Sequence, residues 1–152
     1  MRDDDFADVP NMVVQDMFRG MVGKLIGRGA SRAVYEWTPD PKLVVKIEIA
    51  ATFQNVMEWE IYDYLRGEKA AEYFAEPVWI GSYGSVMLMK KTQPINDSQL
   101  PKLLPDWISD RKRENFGWLD GKVVCHDYGV NNIVRYVNKK IKFRAVDFSE
   151  WR

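Results

Sequence analysis

The sequence predicts an α+β fold, and three observations carry that expectation. Short runs alternate like strands: in Leu43–Ile49, Val45, Ile47 and Ile49 fall on one face and Val44, Lys46 and Glu48 on the other. A single long segment, Phe53–Arg66, has helical apolar spacing and a natural C-terminal stop in Gly67. Turn residues such as Pro39-Asp40-Pro41 and Gly81-Ser82-Tyr83-Gly84 separate the runs, because each Pro fixes φ and pushes its predecessor out of helical space.

Taken in order, residues 1–10 carry Asp3, Asp4, Asp5 and Asp8 and little to bury, and read as a peripheral arm. Val13 and Met17 support no more than a short helix over Asn11–Arg19. Gly20, Gly23, Gly27 and Gly29 then punctuate a β-like stretch that resumes at Ala33–Trp37. Thr52 is the expected N-cap of the main helix, with Phe53, Met57, Ile61, Tyr64 and Leu65 on its inner side. Val78–Ile80 and Ser85–Met89 form a hairpin. Residues 92–105 are polar and hold Pro94, Pro101 and Pro105, which fits a lobe junction. Trp107–Trp118 is expected as a charged amphipathic helix, and Lys122–Cys125 as a short strand. A second hairpin is expected from Ile133–Val137 and Ile141–Val146 around Asn138-Lys139-Lys140, with Lys142 and Arg144 adding to a basic tip.

Composition narrows the function classes. The chain has 152 residues, 46% hydrophobic and 29% charged, enough to bury a core without a partner. Lys plus Arg equals Asp plus Glu at 22 each, which argues against a coat for nucleic acid or anionic lipid. A lone Cys125 and a lone His126 exclude an internal disulfide and an ordinary zinc site. No apolar run approaches the roughly 18–20 residues of a membrane span, and the acidic N-terminus is unlike a targeting peptide, so a cytoplasmic setting is expected.

Four pieces carry chemistry. In Ile26–Val34, glycines between strands let backbone amides approach a phosphate chain; a plain glycine turn is the alternative. Lys46 lies mid-strand among apolar neighbours and wants a carboxylate or phosphate partner, unless it merely guards a sheet edge. Glu58 and Glu60 on the following helix are the candidate carboxylates. Asp127 and Asn132, five apart in a loop, offer a base and a ligand or two oxygen ligands, where an Asx turn is the plainer reading. Asp147 ends an apolar strand and suits a hard Mg²⁺ together with Asn132, or simply closes that strand.

In this order the pieces resemble the protein-kinase-like superfamily. G-x-G-x-x-G-x-V is matched by Gly27, Gly29 and Val34, with Arg32 at the third glycine; the V-A-I-K strand by Leu43–Lys46; D-x-x-x-x-N by Asp127 and Asn132; and D-F-G by Asp147-Phe148-Ser149. The resemblance implies a single minimal domain over 1–152: an arm at 1–19, a small β-rich lobe at about 20–91 with one helix, and a reduced helical lobe at 92–152 ending after the D-F-G-like strand. It also implies a nucleotide cleft between the lobes. Lys46 and Glu58 would clamp the phosphates of ATP, Val34 and Val44 would flank adenine, and Met89-Lys90-Lys91 would offer backbone hydrogen bonds. Asn132 and Asp147 would hold Mg²⁺, and Asp127 would face the acceptor. Glu58 is preferred to Glu60 because Ile61, Tyr62 and Leu65 follow it at the family's apolar steps.

Several positions depart from the family. Gly129 stands where protein kinases carry Lys, Cys125-His126 replaces His-Arg, and Ser149 replaces the last glycine of D-F-G. The sequence stops five residues after Asp147, so no activation segment or peptide platform is expected. The expected function is an ATP- and Mg²⁺-dependent phosphotransferase acting on a protein or small molecule. The alternative is a catalytically silent pseudokinase that engages a partner or host protein, with Trp118 and Trp151 as a partner or dimer surface. The compact form is reminiscent of phage-encoded proteins, which would place it in a host cytoplasm.

Overall fold

The computed structural model describes residues 11–130 and 140–152. The chain divides into two compact units, Met1–Val56 with Glu76–Lys91, and Met57–Ala75 with Thr92–Arg152.

The first unit holds α1 (Asn11–Met21), β1 (Val22–Arg28), β2 (Arg32–Trp37), β3 (Leu43–Glu48), β4 (Pro77–Ile80) and β5 (Val86–Lys90). The strands form one sheet in the order β1-β2-β3-β5-β4, and every neighbouring pair is antiparallel. The expected mixed fold and β-rich half are both present. Between β2 and β3 the Asp40 carboxylate accepts the Lys42 N–H at 2.9 Å, an Asx turn fixed by the flanking prolines. One sheet face packs Trp37, Val45, Trp79 and Leu88. Phe18 of α1 lies 5.2 Å from the Trp79 ring and 5.4 Å from that of Trp37. Burying large aromatics of this kind stabilises by about 1.5–3 kcal/mol each. In the β4–β5 turn Gly84 has φ +71°, and a Cβ there would fall 2.4 Å from Val56 Cγ2, so conformation and space both require glycine.

Helix α2 spans Gln54–Leu65. Thr52 does not cap it: Glu48 accepts the Asn55 N–H at 2.9 Å and the Thr52 hydroxyl at 3.0 Å, so a strand carboxylate satisfies the first turn. Gly67, at φ +85°, ends the helix as expected. The inward positions are Asn55, Glu58, Ile61 and Leu65, whereas Phe53 and Tyr64 are more than half exposed. The buried face is thus rotated from the purely apolar one, because Asn55 and Glu58 find hydrogen-bond partners inside.

The second unit departs from the expected helical lobe. Among its described residues no α-helix follows α2. Trp107–Trp118 is not helical; after a turn at Trp107 and an irregular run it holds one 3₁₀ turn, Arg113–Asn115, and then β7 (Phe116–Leu119). Trp107 and Ile108 are buried, and Phe74 stacks on the Trp107 ring at 5.1 Å. Tertiary packing of these aromatics overrides the helical spacing. β7 pairs with β8 (Lys122–Cys125) through a two-residue turn whose Asp120 and Gly121 both have positive φ. β6 (Leu103–Pro105) pairs with β9 (Phe143–Ala145), within the region expected to be a junction. The partner strand of the second expected hairpin, residues 133–137, lies outside the described residues, as does Asn132. No helix among the described residues is long and apolar enough to cross a membrane.

Candidate functional site

The first unit presents one chemically distinctive sheet face. Directly opposed residues of antiparallel strands share a face. Gly27 pairs with Val34, Val34 with Lys46, Lys46 with Met87, and Val44 with Met89. The expected nucleotide residues Gly27, Val34, Val44, Lys46 and Met89 therefore share one side of the sheet, opposite the Trp37–Trp79 core. Lys46 is 3% exposed and lies beside the fully buried Met87. An ammonium so enclosed is stable only with compensating charge or hydrogen bonds. Gly27 and Gly29 do not have positive φ, and a Cβ on Gly27 would meet nothing within 4 Å. Among the described residues nothing requires glycine there.

Around this face runs a polar network that sequence reasoning missed. Asn55 is fully buried; its Nδ2 donates to the Lys46 carbonyl at 3.1 Å and its Oδ1 accepts from Arg32 at 3.1 Å. Arg32, at the third glycine position, is thus a buried strut between β2 and the start of α2. Glu48 stands opposite Arg32 in the β2–β3 register and also accepts the Asn55 N–H, so the three residues meet only once the sheet and helix are formed. The Lys90 and Lys91 N–H groups are both used internally, donating to Glu76 O at 2.9 Å and Lys42 O at 2.8 Å.

The second unit is organised by the β7–β8 hairpin. Its open end sets Phe116 opposite Cys125, and the His126 N–H donates to the Asn115 carbonyl at 2.8 Å. The residues entering and leaving the hairpin are therefore neighbours. On the entering side, Asn115 is 5% exposed and its Nδ2 donates to the Asp110 carboxylate at 3.1 Å and the Asp110 carbonyl at 3.3 Å. Lys112 Nζ stands 3.8 Å from the same carboxylate. With nitrogen committed to Asp110, Asn115 keeps Oδ1 as its acceptor. On the leaving side, Asp127 is exposed while Tyr128 and Gly129 are buried.

Glu58 fixes that second loop. It is fully buried, and Oε1 accepts the N–H groups of Tyr128 at 2.9 Å and Gly129 at 3.2 Å. The Tyr128 hydroxyl donates to the Ala75 carbonyl at 2.8 Å, and its ring meets Phe74 edge-on at 4.9 Å. Consecutive amides on one carboxylate oxygen lock the backbone that displays Asp127. His126 ties both loops together, through Nδ1 to the Thr92 hydroxyl and Nε2 to the Glu114 carbonyl, each at 2.8 Å.

Asp147 is placed differently. It is exposed and caps the 3₁₀ turn Phe148–Glu150, with Oδ1 accepting the Ser149 amide at 2.9 Å and hydroxyl at 2.6 Å. The Ser149 hydroxyl, then its amide, hold the Asp147 carboxyl below the usual range. Glu150 is lowered first by the Arg144 guanidinium at 2.6 Å and then by the Asp147 N–H. Burial, then the charge of Arg144, lower Arg111, which donates to Glu150 at 3.0 Å. Trp151 is 6% exposed and packs edge-on against Phe116, so it is not part of an exposed partner surface; Trp118 is 40% exposed.

Asp110, Lys112 and Asn115 were also missed, although the signal was in the sequence. Asp110–Asn115 repeats the D-x-x-x-x-N spacing and carries, at Lys112, the lysine that Gly129 lacks in the downstream match. Asp127-Tyr128-Gly129 likewise reads as acid, aromatic, glycine.

No protein-family description and no curated protein matches the chain. Among solved structures it is similar to a ternary complex of APH(2")-IIa with streptomycin and ATP, at 16% identity, a TM-score of 0.41, and coverage of 61% of this chain and 32% of that one. The chain thus matches about a third of that protein's length.

Proposed function

We propose that this chain is an ATP- and Mg²⁺-dependent phosphotransferase, acting on a hydroxyl of a protein or small molecule. The observation that carries the reading is the β7–β8 hairpin, which brings the Asp110–Asn115 loop beside the Asp127-Tyr128-Gly129 loop pinned by Glu58.

Lys46 binds nucleotide phosphates, and Val34, Val44 and Met89 supply the apolar face for the base. The Gly27–Gly29 turn covers the phosphates, where the absence of side chains permits close approach. Asp127 and Asn115 Oδ1 are hard oxygen donors and fit magnesium. Among the described residues no cluster of three or more His, Cys, Asp or Glu side chains stands ready to hold a metal, so Asp127 and Asn115 would hold it only together with oxygens of the nucleotide or water. Held by Asp127 and Asn115, the ion would supply neutralisation of charge on the transferred group. Asp110 accepts the acceptor's hydroxyl proton as its oxygen bonds to the γ-phosphorus and the bond to ADP breaks. Asn115 and Lys112 hold that carboxylate in place. In this register Asp127 serves the cation, Asp147 remains a cap, and Asn132 is not needed.

Thermal denaturation with millimolar ATP and Mg²⁺ tests the proposal. A ligand at one hundred times its dissociation constant stabilises by about 2.7 kcal/mol, and Lys46→Ala should abolish that shift. Asp127→Asn should remove its Mg²⁺ dependence, and Asp110→Asn should stop turnover with the shift retained. No shift in the wild-type protein refutes the reading. Binding that persists with no turnover identifies the silent, partner-engaging alternative.

A further inference from the structure

We infer that Trp151–Arg152 forms an autoinhibitory strap over Asp110. The inference rests on Asp110 facing the acceptor, as proposed above. Arg152 donates a guanidinium hydrogen bond to Asp110 Oδ1 at 2.6 Å. Oδ2 is taken on its other side by Asn115 at 3.1 Å. Both oxygens of the carboxylate that should receive an acceptor proton are therefore occupied. Two backbone hydrogen bonds lay the strap down: Arg152 N–H donates to Arg111 O, and Arg113 N–H donates to the Arg152 backbone oxygen, both at 2.9 Å. Trp151 anchors it, with its ring 4.8 Å from Phe116 at 81°.

The two residues divide the work. Trp151 is buried and holds the strap in register, while the Arg152 side chain is 66% exposed and free to swing into water. An exposed ion pair of this type biases occupancy by up to about fivefold, and salt screens it. An entering acceptor can therefore displace Arg152 without unseating Trp151. The guanidinium stands in for whatever group the acceptor sets against Asp110.

The test uses water as the acceptor, measuring Mg²⁺-dependent ATP hydrolysis alongside the ATP-induced thermal shift. Arg152→Ala is expected to raise hydrolysis about two- to fivefold with an unchanged thermal shift. Raising NaCl should lift the wild-type rate toward that of the variant, relative to their ratio at low salt. An equal thermal shift in both proteins with no gain in hydrolysis overturns the strap alone. No thermal shift in either protein overturns the nucleotide reading and the strap with it. Loss of the shift only in Arg152→Ala overturns the strap, since the residue would then support nucleotide binding.

Discussion

Glu58 offers the sharpest test of how the Asp127 loop is built. Its carboxylate is fully buried and receives two consecutive backbone amides, Tyr128 at 2.9 Å and Gly129 at 3.2 Å. Removing it strands two buried donors, at about 1–3 kcal/mol each, and leaves a cavity; Glu58→Ala should therefore cost about 3–5 kcal/mol. Glu58→Gln keeps an acceptor oxygen at the same reach and loses only the charge assistance, so about 1–2 kcal/mol is expected. Urea unfolding gives the two totals. Native-state hydrogen exchange at Tyr128 and Gly129 locates them, with the buried Val124 amide in β8 as the internal reference. In Glu58→Ala the two loop amides should lose more protection than Val124. If all three change together, or if the Gln variant is as unstable as the Ala variant, the amide-holding role is refuted.

Two glycines predict opposite behaviour. A Cβ on Gly117 would lie 2.4 Å from Thr92 Oγ1 and 2.9 Å from the Gln93 carbonyl, so Gly117→Ala should cost about 2 kcal/mol, read as a lower urea midpoint at unchanged slope. Gly27→Ala meets no atom within 4 Å and should leave the urea midpoint unchanged while weakening the ATP-induced thermal shift; a stability loss like that of Gly117→Ala would contradict the phosphate-covering role. The acid limb of stability should report the 147–150 turn. Asp147 and Glu150 have carboxyl groups held below their ordinary range, so their contribution is present above about pH 4–5 and is lost as pH falls through the lowered native values. Ser149→Ala, which removes the hydroxyl on Asp147, should flatten that limb; an unchanged acid profile would deny the cap its role.

Much of the first unit was legible because local and tertiary preferences agree there. The alternation in β3 and the prolines before it, and in the second unit Gly67 after α2, each express backbone geometry that no long-range contact opposes. The inward placement of Glu58 was also legible, since Ile61 and Leu65 follow it on the same buried face, whereas its hold on the Tyr128 and Gly129 amides was not. The Trp107–Trp118 segment was not. Its charges and aromatics have helical spacing, yet Trp107 is drawn onto Phe74 and Phe116 onto Trp151, which the irregular course of the chain allows. Asp120-Gly121 was a hairpin signal in plain view, and reading it would have paired Phe116–Leu119 with Lys122–Cys125. Arg32 at a glycine position was equally opaque, because its partner Asn55 lies 23 residues away.

The two acids that compete for the metal role differ in what the chain places after them. Asp147 is followed by Phe148-Ser149, and Ser149 returns both hydroxyl and amide to Oδ1. Asp127 is followed by Tyr128-Gly129, and those amides go to Glu58, 70 and 71 residues earlier in the chain. A serine two residues on thus turns an acid inward on its own backbone as a cap, whereas a glycine there lets a distant carboxylate take the amides. The same short pattern, acid then aromatic then small residue, yields a local turn in one place and a long-range junction in the other. Sequence spacing alone does not separate them, but the destination of the two following amides does. By that criterion Asp127 on the chain leaving the hairpin, with Asn115 on the chain entering it, is the pair that the proposed phosphotransferase reading assigns to a cation.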